Sequence, residues 1–385
     1  MINDSDKYGD KGGLSASVSH LQGFSRDLDD IRDTFSSNNA ILLADLRMSN
    51  NSGSLLESTA KSLDTFLTQI STEHAQVSTE LMGIASTLQL GTRQYVDTDQ
   101  STAASISRKS VAFEESAGTA VDRTTESIRF NGLQLPTIPA GDLPPLTTRS
   151  MVKWGIELLE PLDSELKRAI DLRPAADFLK HLDTDWEVLQ QVGQCITSLG
   201  VNQYVAAQNL LGGSRWLKHT WNGDASDSFS SRANASGSGW DARSLDLDHI
   251  GKTLQSGGIC LERMVKNQVI YLADALYEPI QHVGLTFPRA VWARTIGQPM
   301  PASTHTEITT DIDQLKRSLE ARNAEMIDMV SRIDRALAST PGDTNIFFDS
   351  SQFEIPGIVD TLPGTRRYGF GGITWLELDV QPPSR

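Results

Sequence analysis

The amino-acid sequence predicts an all-α protein of long antiparallel helical hairpins packed as a bundle, with a small irregular or β C-terminal tail. Two observations predict this class. Apolar residues recur at intervals of three or four along most of the 385 residues, which is the period of an amphipathic helix. Only 38% of residues are apolar and 6% aromatic, and long hairpins tolerate this because each helix buries a single stripe.

The composition also argues against nucleic-acid-binding, membrane-spanning and Sec-exported proteins. The chain carries 49 acidic and 34 basic residues, for a net charge of −15, which argues against nucleic-acid binding because phosphate neutralisation needs a basic face. No run approaches the roughly 18 apolar residues that a membrane-spanning helix needs. Residues 1–13 are polar, are expected to be flexible, and lack the features of a Sec signal peptide. Export would therefore need another signal.

The first predicted unit is a helical hairpin over residues 14–129. Its two apolar stripes are separated by the turn-forming cluster Arg47–Gly53, which predicts two antiparallel helices. The stripes comprise Val18, Leu21, Phe24, Leu28, Ile31, Phe35 and Leu42, then Leu56, Leu63, Phe66, Ile70, Val77, Leu81, Ile84 and Leu88.

A proline-rich linker is predicted over residues 130–149, because four prolines fall between Leu133 and Pro145. A second helical hairpin is predicted over 150–285, with its turn at Trp221-Asn222-Gly223 and Asp224 as the N-cap of the next helix. The sequence Asn-Ala-Ser-Gly-Ser-Gly at 234–239 is poor helix material, and we expect it to interrupt that helix.

The remaining chain predicts a connector and an amphipathic helix over 286–340, then a tail over 341–385. The tail contains short apolar runs among Gly and Pro, which allow a β-hairpin. Two cysteines, Cys195 and Cys260, are expected to be free buried thiols. A disulfide between them is open only if residues 234–240 loop out.

No catalytic constellation is visible in the sequence. The seven histidines show no metal-binding spacing, no G-x-S-x-G occurs, and the Gly-rich stretch 369–372 lacks the Lys-Ser/Thr of a phosphate loop. We therefore expect a protein that is not an enzyme and that has no cofactor and no metal.

Two short motifs lie at the end of the first predicted hairpin and in the turn of the second. Tyr95 and Asp99, near the end of the first hairpin, fit Y-x-x-x-D, and residues four apart lie on one face of a helix. Trp221 and Gly223 fit W-x-G in the turn of the second hairpin, where glycine permits the sharp reversal.

This arrangement resembles substrates of bacterial type VII (ESX-like) secretion, the W-x-G and EspC-like families. Its order, Y-x-x-x-D on one hairpin and W-x-G on a second hairpin after a linker, is similar to that of EspB-like mycobacterial proteins, single chains that imitate a PE–PPE heterodimer. The first hairpin departs from the pattern, because its turn holds no W-x-G. The resemblance covers roughly residues 14–285.

The resemblance implies that Tyr95, Asp99, Trp221 and Gly223 meet at one tip of the bundle as a composite signal for the secretion ATPase. It implies a protein that is cytoplasmic before export and then secreted or in the cell envelope. A chaperone, a small W-x-G partner or homo-oligomerisation is also compatible with it. Two alternatives are a helical export adaptor of a secreted toxin and a cytoplasmic coiled-coil scaffold.

Overall fold

Long helices form most of the part of the chain that the structure describes, and the predicted all-α class is confirmed. The computed structural model describes residues 16–46, 48, 54–110, 127–136, 148–342, 346–357 and 359, without the side chains of 98–110. The helices are α1 (Val18–Asp45), α2 (Glu57–Ser110), α3 (Thr148–Ile170), α4 (Pro174–Phe178), α5 (Glu187–Leu217), α6 (Asp224–Tyr277), α7 (Arg289–Thr295) and α8 (Ala302–Leu337). Short 3-10 turns lie at Ser54–Leu56, Lys180–Leu182 and Ser350–Phe353.

Helices α5 and α6 form the antiparallel hairpin at the centre of the bundle. Small residues allow their backbones to approach closely: a Cβ on Gly251 would lie 2.2 Å from Thr197 Oγ1 and 2.6 Å from the Gly193 carbonyl oxygen. A Cβ on Gly193 would in turn lie 2.6 Å from the Gly251 carbonyl oxygen. This contact holds only with glycine on both helices, so the two glycines fix the hairpin's geometry.

The expected interruption at residues 234–239 is wrong, because α6 runs unbroken from Asp224 to Tyr277. Of the small residues there, Gly237 is the one packed against α5. Gly237 is buried, and a Cβ on it would lie 2.6 Å from Leu211 Cγ. Close packing on a neighbouring helix thus overrides the weak helix propensity of the local sequence.

Because α6 does not loop out, the condition for a disulfide is not met. Cys195 of α5 and Cys260 of α6 are both free, but only Cys260 is buried as predicted, and Cys195 is half-buried. Burial raises the pKa of both thiols above the ordinary value, which disfavours the reactive thiolate.

Helix α1 packs antiparallel on both α2 and α5. Ser25 Oγ of α1 donates to the Ala85 carbonyl oxygen of α2, and Phe24 of α1 fills the space beside Gly213 of α5. Helix α8 lies antiparallel to α6, with the guanidinium carbon of its buried Arg322 3.7 Å from the centre of the Tyr271 ring.

A layer of buried polar side chains crosses the bundle between two apolar clusters. We call this set the polar layer: Asn38, Asn39, His74, Asn202 and Gln203. On one side lie Leu21–Phe35 and Ala206–Leu217, and on the other side Leu42–Ile70 and Leu189–Leu199 contribute to the second cluster.

Asn202 of α5 is the centre of the polar layer. Its Nδ2 donates to the Phe35 carbonyl oxygen at 3.0 Å and to Asn39 Oδ1 at 2.9 Å, and its Oδ1 accepts from Asn38 Nδ2 at 3.1 Å. These bonds join α1 to α5 in one register, since buried amides are costly without partners.

Residues 127–136, at the boundary between the predicted first hairpin and the predicted linker, form a strap along α1 and α5. The Arg129 guanidinium pairs with Asp27 and Asp30 of α1. Gln134 exchanges two hydrogen bonds with the Asn209 side chain of α5, at 3.0 and 2.7 Å. The rest of that linker, residues 137–147, lies outside the described residues.

A two-stranded β-hairpin follows α6, where the sequence predicted the end of a helix and a connector. Strands β1 (Pro279–His282) and β2 (Leu285–Pro288) pair antiparallel around a turn in which Val283 and Gly284 have φ of +52° and +76°. Trp292 Nε1 of α7 donates to the Ile280 carbonyl oxygen at 2.9 Å and anchors the hairpin.

The C-terminal part is irregular in its described residues. The apolar runs at 346–348 and 353–355 form no strand there, and Ser350–Phe353 is a 3-10 turn. The β-like run at 373–378, the flexible N-terminus predicted at 1–13 and most of the turn at 47–53 lie outside the described residues.

The close approach of α5 and α6 predicts the effect of adding one methyl group. Gly251→Ala should lower the free energy of unfolding by about 1–3 kcal/mol, because the new Cβ overlaps the α5 backbone. Gly239→Ala on the same helix is the matched control: its Cβ meets nothing within 4 Å. It should stabilise by up to about 1 kcal/mol through helix propensity. Guanidinium unfolding followed by circular dichroism measures both, and equal effects of the two variants would contradict the packing.

Candidate functional site

The turn between α5 and α6 places Trp221 and Gly223 at one end of the bundle. Helix α5 ends at Leu217 and α6 begins at Asp224. The N-cap is Gly223, so the N-cap predicted at Asp224 is one residue too late. Gly223 has φ +109° and ψ 178°, a conformation that essentially only glycine adopts. Behind it, Ser226 Oγ donates to the Trp221 carbonyl oxygen at 2.7 Å. Glycine at 223 therefore lets α6 start immediately after the tryptophan.

The chain just before α1 fastens this turn. Ala16 and Trp221 form an isolated antiparallel β-bridge, and the Ser17 backbone N–H donates to the Thr220 carbonyl oxygen at 3.0 Å. The Trp221 side chain is only 6% exposed. The backbone bridge to Ala16 and the burial of its side chain therefore hold Trp221 in one position at this end of the bundle.

Tyr95 of α2 reaches the same end and contacts Trp221. Trp221 Nε1 donates to Tyr95 Oη at 3.3 Å, across 126 positions of sequence. Tyr95 is half-buried against the apolar cluster, and the Phe229 ring of α6 lies 5.5 Å from the Trp221 ring. Tyr95, Trp221 and Gly223 thus lie at one end of the bundle, which we call the tip.

Helix α2 continues past the tip. Asp99 lies one helical turn beyond Tyr95, and its side chain lies outside the described residues. The helix ends at Ser110, about 22 Å further along its axis than Tyr95. Helices α1, α5 and α6 begin or end near the level of Tyr95, so α2 continues beyond their ends.

An aromatic cluster that the sequence reasoning did not single out supports the tip from inside. The Trp216 ring of α5 lies 5.0 Å from His20, 6.4 Å from Phe24 and 5.9 Å from Phe130 of the strap. The sequence did carry one signal for the strap: Asn131-Gly132 is a turn dipeptide between the apolar residues Phe130 and Leu133. The structure places a turn there.

The described charges around the tip have both signs, since Arg93 of α2 and Arg215 and Lys218 at the end of α5 are exposed there. Asp97 is exposed on α2, and Asp224 and Asp227 are exposed in the first turn of α6. The positive end of the α6 dipole stabilises carboxylates at that position. Lys218 Nζ lies 3.8 Å from Asp227 as an exposed pair. A partner that contacts the tip therefore meets a half-buried aromatic surface bordered by charges of both signs.

Elsewhere in the described residues, no group of three His, Cys, Asp or Glu side chains is placed to hold a metal ion. Within the same residues, no helix combines the length and apolar character required to cross a bilayer.

Comparisons with protein-family models, with curated proteins and with solved structures found no match for this chain.

The backbone conformation at the tip predicts the effect of a side chain at position 223. Gly223→Ala should lower the free energy of unfolding by about 1–3 kcal/mol, because φ near +109° strains any residue with a Cβ. Gly297→Ala, at a turn position where a Cβ meets nothing within 4 Å, is the control and should change the free energy little. Urea unfolding of both variants provides the measurement, and a neutral Gly223→Ala would show that the turn is not strained by a Cβ.

Proposed function

We propose that the chain is a non-enzymatic substrate of a type VII (ESX-like) secretion system, exported as a folded helical bundle. Its recognition surface consists of Tyr95, Asp99, Trp221 and Gly223, and the partner that reads it is the secretion ATPase. The observation that carries the proposal is the contact between Tyr95 and Trp221 at the tip.

The contact supports the proposal because either motif alone carries little information. Y-x-x-x-D and W-x-G are short enough to occur by chance in helical proteins. Helix α6 alone is about 80 Å long, so two coincidental motifs on different hairpins have many ways to lie far apart. Motifs that act as one signal need to be adjacent, and Tyr95 and Trp221 are adjacent.

The burial of the two aromatic side chains divides their roles. Trp221 is almost wholly buried and its backbone is bridged to Ala16, so it positions the tip more than it offers contact area. Tyr95 is half-buried and stands where α2 leaves the bundle. The ATPase would therefore contact Tyr95 and the extension of α2 that carries Asp99, while Trp221 and Gly223 hold them in place.

The location of the protein follows from the same proposal. The chain is cytoplasmic before export and is secreted or in the cell envelope afterwards. Outside the cytoplasm it acts by binding other molecules and not by catalysis. Besides the ATPase, its partners would be a chaperone, a small W-x-G protein or further copies of the same chain.

Substitutions at the tip should abolish export without unfolding the bundle. Tyr95→Ala, Asp99→Ala and Trp221→Ala should each reduce the secreted fraction at least about tenfold, while helicity by circular dichroism stays near wild type. The measurement compares culture medium with cell lysate in a host with a type VII system, and in the isogenic strain without its ATPase.

Matched controls come from exposed aromatic residues away from the tip. Tyr204→Ala on α5 and Trp154→Ala on α3 remove side chains that are 49% and 37% exposed, and both variants should be exported normally. Normal export of Tyr95→Ala and Trp221→Ala, or export of the wild type without the ATPase, would overturn the proposal.

A further inference from the structure

The polar layer contains one ionisable side chain, His74, on the buried face of α2. His74 is 5% exposed, and the Phe35 ring of α1 packs edge-on against it at 5.4 Å. Neither ring nitrogen makes a well-formed hydrogen bond with any described residue. The imidazole is thus enclosed in its neutral form between the two hairpins.

The groups that face His74 offer its protonated form little support. From α1 it meets the neutral Phe35, from α5 the neutral Gln203, and from α6 the cationic Arg243. None of these three is a carboxylate that could pair with an imidazolium. A proton on His74 would place a buried positive charge within the influence of the Arg243 charge, and no described carboxylate forms an ion pair with His74.

We propose that His74 is an acid-sensitive clasp: its protonation releases the α1–α2 hairpin from the α5–α6 hairpin and separates Tyr95 from Trp221. His74 lies in the polar layer, between the two apolar clusters that hold the hairpins together. A charge at that position therefore acts on the contact between the hairpins. Release depends on the bundle alone and not on export. As the pH falls, release would separate Tyr95 on the α1–α2 hairpin from Trp221 on the α5–α6 hairpin, so the tip would no longer be one continuous surface.

The direction of the pH dependence follows from the same environment. Burial and the Arg243 charge lower the pKa of His74 to about 4, and Gln203 opposes this only in part. A histidine in an opened, hydrated hairpin has a pKa near 6.5. Since the closed form binds the proton more weakly, the closed form is favoured fully above pH 6.5 and loses that advantage as pH falls towards 4.

Native-state hydrogen exchange, read by mass spectrometry on the full chain at pH 7 and pH 5, tests the clasp. After correction for intrinsic exchange rates, the opening equilibrium of α1 and of α2 near His74 should rise about 20-fold between these pH values. The C-terminal half of α6, which among the described residues packs on α3, α5 and α8 and not on the α1–α2 hairpin, should change much less.

Variants identify the proton acceptor. His74→Leu should abolish the 20-fold increase, because leucine fills the apolar space beside Phe35 and takes no proton. His74→Gln, which is also proton-free but polar, gives the same answer if the leucine variant is poorly folded.

The control is His181→Gln. His181 lies in the 3-10 turn before α5, is hydrogen-bonded to Asn323 of α8, and has a pKa also lowered by burial. This variant should keep the wild-type response of α1 and α2. An increase that persists in His74→Gln, or a wild type whose α1 protection changes less than about threefold, would overturn the proposal.

Discussion

The register between the α1–α2 hairpin and the α5–α6 hairpin is the constraint on which the tip depends. Asn202 sets it through bonds to the Phe35 carbonyl and to the side chains of Asn38 and Asn39. Apolar seams alone tolerate sliding, because dispersion and burial are not directional. Buried amides are directional, and an unpaired one costs about 1–3 kcal/mol. A single polar position that specifies register is a well-attested role of buried amides in helical assemblies.

The distance from this layer to the tip shows why register matters. Asn202 lies about 28 Å along the helical rise from Trp221, and His74 about 32 Å from Tyr95. The hairpins are stiff over that length, so the register fixed at Asn202 is carried to the tip. A slip of one turn would move Tyr95 about 5.4 Å along its axis and break its contact with Trp221. The strap and the Ala16 bridge reinforce the same register locally.

The sequence predicted the elements that depend on local pattern. The apolar stripes of α1, α2 and α8 were visible because their period is intrinsic to the helix, and so was the turn at Trp221-Asn222-Gly223. Features that depend on distant partners were missed. Residues 234–239 have the low helix propensity of a helix break, and only the distant contact between Leu211 and Gly237 explains why the helix continues. The β-hairpin was hidden because Val283, a β-branched residue, occupies a left-handed turn position that such residues rarely adopt.

The site shows the same division. Tyr95 and Trp221 could be singled out from their motifs, and the reversal at Gly223 from the residue type. Their contact could not, because it depends on the register set by Asn202 and on the lengths of α2 and α5. The packed strap is not visible in the sequence, which predicts a hairpin end and a linker there, because its anchors Asp27 and Asn209 are 102 and 75 residues away.

The central claim is that Tyr95 and Trp221 act as one recognition surface. A double-mutant cycle on binding to the secretion ATPase tests it most directly. Affinity would be measured for the wild type, for Tyr95→Ala, for Trp221→Ala and for the double variant. If the two residues form one surface, the double variant should lose no more affinity than the single variant that binds more weakly. The reason is that the effects of residues that act as a unit do not add. Losses that simply add would contradict the account, since they would mean two independent motifs.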